Sequence, residues 1–196
     1  VFHSQRDLML YYMNNYYIAL QGIFYTVFIE FFFDSLILRL NIKSNARYFF
    51  LHFIFNFFIT IITLKDALLC LYNPLNNFDS PFIYSGILST GCISGFHIYH
   101  MLFFKIKNLE EWMHHIISCI LVPFIGLNIP YGCALSLANL SMCGIPGGID
   151  YFLLFLLKYN IIDKFTEKKI NRLLNLVLRY PFMFISCYIF YINYFR

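Results

Sequence analysis

Long apolar stretches follow one another along almost the whole chain, and they restrict its fold more than any other feature. Residues 48–64, 82–104 and 173–195 are clear examples. A helix of about 20 apolar residues is long enough to cross the hydrocarbon core of a bilayer. The chain is 60% hydrophobic and only 12% charged, whereas about 25% of the residues in a soluble domain are charged. We therefore predict an all-α integral membrane protein.

Turn-forming and charged segments divide the chain into about six spans. We place these spans at residues 16–40, 48–64, 82–104, 112–127, 131–157 and 173–195. Lys65 and Asp66 end the second span in this prediction, Asn-Pro and Asp-Ser-Pro breakers follow within residues 72–81, and residues 158–172 form a charged connection. The spans leave no room for a soluble domain, so residues 1–196 are predicted to form a single polytopic membrane domain.

The N-terminal region is apolar but has no small-residue cleavage site, which indicates a span rather than a cleaved signal peptide. The chain begins at Val1, and we expect a processed, trimmed or incompletely known product.

Basic residues predict the orientation of the six spans. The first, third and fifth connections lie on one side of the membrane, and the positive-inside rule places that side in the cytoplasm, or in the matrix of a mitochondrion. Both termini then lie on the opposite side. The basic side carries ten of the 14 Lys and Arg residues, namely Arg39, Lys43, Arg47, Lys105, Lys107, Lys158, Lys164, Lys168, Lys169 and Arg172.

Polar residues inside the predicted spans recur at helical spacing, so that each set lies on one helix face. The sets are His52, Asn56 and Thr60 in the second span, Ser85, Ser89, Cys92 and His100 in the third, and Glu30 and Asp34 in the first. Polar groups at membrane depth face protein or a water-filled cavity. We therefore predict a helical bundle around a semi-polar interior. For Ser, Thr and Asn, interhelical hydrogen bonding without further function is the alternative. In the third span, Gly91 and Gly95 also form a small-xxx-small packing motif.

A histidine pair stands at the start of the fourth span, in the sequence EEWMHHIIS. His is the side chain best suited to acid–base chemistry near neutral pH. Glu110 lies four residues before His114 and Glu111 four before His115, so either carboxylate is placed to orient an imidazole. Neighbouring side chains on a helix point about 100° apart, so one histidine can face the interior while the other meets the interface. Interfacial histidines without chemistry remain the alternative.

Together with His97 and His100, the pair gives four histidines near one membrane face, which is the number that a metal site could use. HExxH and HxxHH motifs are absent from the sequence, and no dense set of carboxylates replaces them. We therefore predict no metal site.

The fifth span is interrupted by the sequence GIPGG at residues 144–148, which cannot continue a regular helix. Asp150 follows it, and either caps the second half of the helix or faces the cavity as a working carboxylate. Arg179 lies inside the last span and precedes Pro181. We predict an ion pair between Asp150 and Arg179, because an unpaired charge at membrane depth is costly. Snorkelling of Arg179 to the surface is the alternative.

Three motifs occur in a fixed order within residues 96–184: EEWMHHIISCILVPF, GGIDYFLLFLLKYN and RYPFMF. This set resembles the TLC-domain family, which includes the ceramide synthases. Members carry a paired histidine at the start of a span, a later helix with Asp and an apolar stretch ending near Lys-Asn, and a last span with Arg before Pro. His114, His115, Asp150 and Arg179 occupy these places in this order, in a TLC-like core of about residues 48–195.

The resemblance implies a six-helix membrane barrel around a lipid cavity. In the enzymes of the family an acyl group passes from acyl-CoA to a lipid amine, which makes acyl-CoA a co-substrate and requires no permanently bound cofactor. The implied catalytic residues are His114, His115 and Asp150, and we expect support or cavity lining from Glu111, His100, His52, Asn56 and Arg179. Two further acidic positions of the ceramide synthases are Gly147 and Leu154 here.

A second class of function stays open at this stage. The chain could instead be a lipid binder without catalysis, or an accessory subunit of a larger membrane complex. The expected partners are membrane lipids, with partner subunits or further copies of the chain, and no nucleic acid. We expect the endoplasmic reticulum membrane, with the mitochondrial inner membrane as the alternative.

Overall fold

The computed structural model describes residues 5–77, 83–106 and 108–195, and these residues form six helices without strands. Residues 78–82, where the predicted turn ends and the third span begins, lie outside the described part, as does Lys107. The helices are α1 (Gln5–Arg39), α2 (Ser44–Tyr72), α3 (Ile83–Phe103), α4 (residues 109–128), α5 (Ala134–Lys158) and α6 (Lys164–Tyr194).

Four helices in the described part of the chain are long and apolar enough to cross a membrane. They are Met9–Arg39 within α1, Ser44–Tyr72, Ala134–Lys158 and Lys164–Tyr194. These helices confirm the prediction of an all-α chain with several candidate membrane spans.

Successive helices are antiparallel, and the helices that pack on each other include pairs that are distant in sequence. α2 packs on α3 and α5, α3 packs on α1, α4 and α5, and α6 packs on α5. Paired contacts give the directions: Phe55 stacks on Phe96 with ring centres 4.0 Å apart, whereas His52 lies beside His100 at 4.3 Å. α2 and α3 are therefore antiparallel. The first and third connections therefore lie at one end of the bundle. The fifth lies there too, because the backbone N–H of Lys43 donates to the Tyr159 hydroxyl at 3.3 Å.

Glycines bring α1 and α3 into direct backbone contact. A methyl group built on Gly91 would lie 2.7 Å from Cα of Ala19, and one on Gly95 would lie 2.8 Å from Cα of Ile23. Gly22 makes the reciprocal approach from α1, to the carbonyl oxygen of Leu88. The predicted small-xxx-small packing of Gly91 and Gly95 is confirmed, and its partner is α1.

An ion pair joins the first three helices near one end of the bundle. Both carboxylate oxygens of Asp34 accept from the Arg47 guanidinium, and the Tyr99 hydroxyl donates to Asp34 at 2.7 Å. This arrangement places one residue each from α1, α2 and α3 in a single network. Bidentate Arg–carboxylate pairs are among the stronger polar contacts in proteins.

We expect Asp34→Asn to destabilise the protein by about 2 kcal/mol, because it leaves the Arg47 charge without its partner. Fully buried pairs lose about 3–5 kcal/mol on such a change, and the Arg47 side chain is 22% exposed. The measurement is the thermal midpoint in detergent. The midpoint of Arg47→Lys should lie between those of the unchanged protein and of Asp34→Asn, because lysine keeps the charge and loses the second hydrogen bond. An Asp34→Asn protein as stable as one with the exposed Arg39→Gln change would contradict the prediction.

Two predicted span boundaries were wrong. α2 does not end at Lys65 and Asp66 but continues to Tyr72, with Asp66 only 6% exposed. The predicted charged connection over residues 158–172 is short instead, because α6 already begins at Lys164. Asp163 caps that helix: its carboxylate accepts from the Thr166 N–H at 2.9 Å and from the Thr166 hydroxyl at 2.7 Å. These bonds lower the pKa of Asp163 from its ordinary value, since they favour the ionised form.

Candidate functional site

A cavity of about 330 Å³ lies between α2, α3, α4, α5 and α6, and no described residue of α1 lines it. Its lining combines aromatic and aliphatic groups with polar and charged ones, as the predicted semi-polar interior requires. The lining residues are His52, Phe55, Asn56, Ile93, Phe96, His97, His114, Ser118, Val122, Asn139, Met142, Cys143, Gly147, Asp150, Tyr151 and Arg179.

The ring of helices around this cavity has a gap. α4 packs on α3 and α1, and α6 packs on α5, but in the described part of the chain α4 and α6 share no extended contact. Ser118 and Val122 of α4 and Arg179 of α6 all line the cavity. The cavity therefore extends between two helices that do not pack on each other, and this space is the gap between α4 and α6.

All five histidines in the described part of the chain lie in one cluster beside the cavity. They come from α2, α3 and α4, and the members are His52, His97, His100, His114 and His115. His97 Nδ1 lies 2.9 Å from His115 Nδ1, so one of the two rings donates to the other. His115 is 3% exposed, whereas His114 is exposed on the surface of α4 and also lines the cavity. The two members of the predicted pair thus face different surroundings, as their angular separation on the helix requires.

His52 and His100 form the inner part of the cluster, among aromatic rings. His52 stacks on Tyr151 with ring centres 3.9 Å apart, and its Nδ1 lies 3.0 Å from the carbonyl oxygen of Tyr48. His52 Nε2 and both ring nitrogens of His100 are buried without a hydrogen-bond partner. Unpartnered polar atoms inside a protein are uncommon and call for a reason such as ligand or proton binding.

Asp150 and Arg179 do not form the predicted ion pair. Two asparagines on α6 connect them instead: Arg179 Nη1 donates to Asn175 at 2.6 Å, Asn175 donates to Asn171 at 3.0 Å, and Asn171 donates to Asp150 at 2.7 Å. Asp150 and Arg179 therefore both line the cavity, but they are linked through two amides and not by a direct ion pair. Arg179 Nε is buried and has no hydrogen-bond partner.

Asp150 also does not cap a broken helix. α5 continues through the GIPGG sequence, and its irregularity consists of the π-helical segment Leu140–Gly144 and of Gly144 itself, whose ψ of −110° is not helical. Gly147 packs against α2, where a methyl group on it would lie 3.1 Å from the side-chain nitrogen of Asn56. An acidic side chain at Gly147 would displace Asn56, which gives a physical reason for the glycine.

Three π-helical segments adjoin the cavity, one in each of α4, α5 and α6. They are Ile117–Leu121, Leu140–Gly144 and Asn175–Arg179, and all three contribute lining residues. Each segment is followed at its second residue by a proline: Pro123, Pro146 and Pro181. Proline lacks the N–H that would bond four residues back, and its ring clashes with that carbonyl, so the preceding turn widens. π-Bulges of this kind are frequent at functional sites.

The predicted site residues separate into three groups. His114, Asp150, His52, Asn56 and Arg179 line the cavity together. His115 and His100 are buried in the histidine cluster behind the lining. Glu111 is exposed in the first turn of α4 and is not among the lining residues.

Sequence reasoning missed His97, Tyr151 and Asn139 as part of the site. For His97 the sequence offers one indication, its spacing of three residues from His100.

Asn139 is held by α3, where its amide nitrogen donates to Ser89 Oγ at 2.8 Å and to Thr90 Oγ1 at 2.9 Å. Ser85 similarly lies 2.8 Å from Ser136 Oγ. Ser85 and Ser89 of α3 therefore serve as interhelical hydrogen-bond partners.

Among the described residues, no three His, Cys, Asp or Glu side chains are arranged to hold a metal ion. Comparison of the chain with protein-family models, with curated proteins and with solved structures found no match.

Proposed function

We propose that this chain is a six-span membrane protein that binds an acyl lipid between its helices and transfers an acyl group from acyl-CoA to a lipid amine. One observation carries the proposal: His114, Asp150 and Arg179, far apart in sequence, line one cavity beside a cluster of histidines. These residues also carry the resemblance to the TLC-domain family, with its six-helix barrel. α3 has 21 residues, and α4 is of similar length, so each extends about 30 Å and can span a bilayer beside the four longer helices.

In the proposed reaction His114 is the general base. Its imidazole accepts a proton from the lipid amine while the amine nitrogen attacks the thioester carbonyl carbon. The C–N bond forms, the C–S bond breaks, and the same proton is returned to the departing CoA sulfur, which leaves as a thiol. Arg179 has a buried N–H group without a partner, which suits it to stabilise the carbonyl oxygen as negative charge develops there. Asp150 is suited to hold the polar end of the lipid.

The gap between α4 and α6 supplies the route for the lipid chains. An acyl chain lying in the gap would remain in contact with the bilayer while its reacting end reaches the cavity. The histidines lie toward the end of the bundle that carries the first, third and fifth connections and most of the basic residues. That end would face the cytoplasm or the matrix, and its positive charge suits the phosphates of acyl-CoA.

The experiment that tests the proposal is a native mass measurement of the particle extracted in mild detergent, with its lipids identified. The expected result is a monomer or small oligomer that carries one acyl lipid per chain. A monomer that retains no lipid in the detergents in which it stays folded would contradict the proposal.

The second candidate function is that of an accessory subunit, and the exposure of α6 favours it. Only 11% of the most apolar window of Lys164–Tyr194 is buried against the rest of the chain, compared with 39% for Ser44–Tyr72. A partner subunit could cover this surface. A large particle of fixed stoichiometry in the same native mass measurement would support the accessory function over the enzyme.

Filling the cavity from α4 should displace the lipid. We expect Ser118→Trp to lower the amount of bound lipid about tenfold, which corresponds to a loss of about 1.4 kcal/mol in binding, because the indole would occupy the cavity beside the gap. The measurement is the lipid-to-protein ratio after purification. Ile120→Trp is the matched control, since Ile120 is on the same helix but 62% exposed on its outer side. Equal ratios in the two variants would contradict the proposed route.

A further inference from the structure

A second, smaller cavity of about 200 Å³ lies between α1, α2 and α3, on the other side of Phe55 from the histidine cluster. Its lining residues are apolar apart from Glu30, Thr26, Cys92 and the hydroxyl-bearing Tyr25. The lining residues are Tyr25, Thr26, Ile29, Glu30, Phe55, Phe58, Ile59, Ile62, Leu88 and Cys92. Tyr25 is 56% exposed at the edge of this crevice, so the crevice communicates with the surface of the bundle that faces the bilayer.

Glu30 is the unusual residue of this crevice. It is 1% exposed, and its Oε2 is buried without a hydrogen-bond partner. One helical turn further along α1, Asp34 takes the guanidinium of Arg47. Glu30 forms no ion pair with any described residue. Arg47 thus pairs with Asp34 and not with Glu30.

An ionised carboxylate buried without a cation is very costly, so such a group is held as the uncharged acid. The uncharged acid has one O–H donor and a carbonyl acceptor. Glu30 belongs to the lining of a crevice whose other surfaces are almost entirely apolar. The complementary ligand has one small uncharged polar end and an apolar body.

We propose that the crevice between α1, α2 and α3 binds the hydroxyl end of a single-chain membrane lipid, with the Glu30 carboxyl as its hydrogen-bond partner. At about 30 Å³ for each water-sized group, the volume accommodates a hydroxyl and the first few methylene groups. The rest of the chain passes Tyr25 into the bilayer. An ammonium end fits this site less well, because it would ionise Glu30 among apolar side chains. This site is separate from the histidine cavity and does not depend on acyl transfer there.

The test uses the full chain in phosphatidylcholine vesicles and a hydrophobic carbodiimide, dicyclohexylcarbodiimide. An uncharged carboxylic acid gives its proton to one carbodiimide nitrogen while its oxygen bonds to the central carbon. The acyl group then migrates to nitrogen and leaves a stable N-acylurea, so the whole reagent is added and nothing departs. Peptide mass analysis identifies the labelled carboxyl.

We expect Glu30 to be labelled and Asp34 to remain unlabelled. 1-Dodecanol should slow the labelling of Glu30 about fivefold at about four times its dissociation constant, whereas dodecane, which lacks the hydroxyl, should not. Ile62→Trp, which fills the crevice from α2, should abolish the protection by 1-dodecanol.

Three results would overturn the proposal: absence of label on Glu30, equal protection by dodecane, or stronger protection by dodecylamine than by 1-dodecanol. Glu30→Gln gives the background of the labelling measurement. Neither Glu30 nor Ile62 lines the histidine cavity. A negative result in these labelling experiments therefore does not contradict the acyl-transfer proposal.

Discussion

Replacing His114 with alanine is expected to lower the rate of acyl transfer about 100-fold or more, the usual contribution of a general base. His114 is the member of the histidine pair that lines the cavity, so its loss removes the proton acceptor without emptying the core. The measurement is the release of CoA thiol from a long-chain acyl-CoA, in the presence of a long-chain amino alcohol, by the purified protein in detergent.

The controls separate catalysis from folding. Met113→Ala changes the neighbouring residue of the same helix, which is 48% exposed and does not line the cavity, so it should retain full activity. His115→Ala should impair activity less than His114→Ala, because His115 is not among the lining residues and bonds to His97, so that in the proposed mechanism it is a positioning residue. Its effect should appear in kcat more than in KM. Unchanged turnover in a folded His114→Ala protein would contradict the mechanism and favour a lipid binder.

The polar faces of single helices could be predicted from the sequence because they depend only on helical spacing. His52 and Asn56, four residues apart, both line the cavity, and the two histidines of α4 diverge as adjacent positions must. These features needed no knowledge of which helices pack together. The roles of the residues remain predictions, since they depend on a substrate.

The connection between Asp150 and Arg179 could not be predicted in the same way. Asn171, Asn175 and Arg179 recur at every fourth position and form one face of α6. The many charges of residues 164–172 lower the local hydropathy, so the sequence predicts a charged connection there. That prediction does not place Asn171 on one helix face with Asn175 and Arg179. The helix forms there because Asp163 caps it and the charged side chains remain exposed.

The widened turns have a sequence signal, because Pro123, Pro146 and Pro181 each lie within an apolar stretch. The sequence alone does not show how such a proline changes the helical hydrogen bonding. A proline within an apolar span indicates either a break or a local π-turn, and the choice depends on whether neighbouring helices cover the freed carbonyl. That information comes only from the tertiary structure.

The contact between α1 and α3 leaves no room for a side chain. At Gly91 the nearest atoms to an added methyl group belong to the backbone of Ala19, including its Cα at 2.7 Å and its carbonyl carbon at 2.8 Å. Backbone atoms cannot rotate away as a side chain can. A substitution must therefore move the two helices apart, which also disturbs the Asp34–Arg47–Tyr99 network that joins them.

We expect Gly91→Ala to destabilise the protein by at least about 2 kcal/mol, within the usual cost of overpacking, even though alanine favours a helix by about 1 kcal/mol relative to glycine. The measurement is the thermal midpoint in detergent, followed by the fluorescence of Trp112, the single tryptophan. Gly126→Ala is the matched control, because the nearest atom to its added methyl group is a flexible leucine carbon at 3.4 Å. Gly126→Ala should leave the thermal midpoint unchanged or raise it. Equal midpoints for the two variants would show that α1 is not held against α3 by close backbone packing.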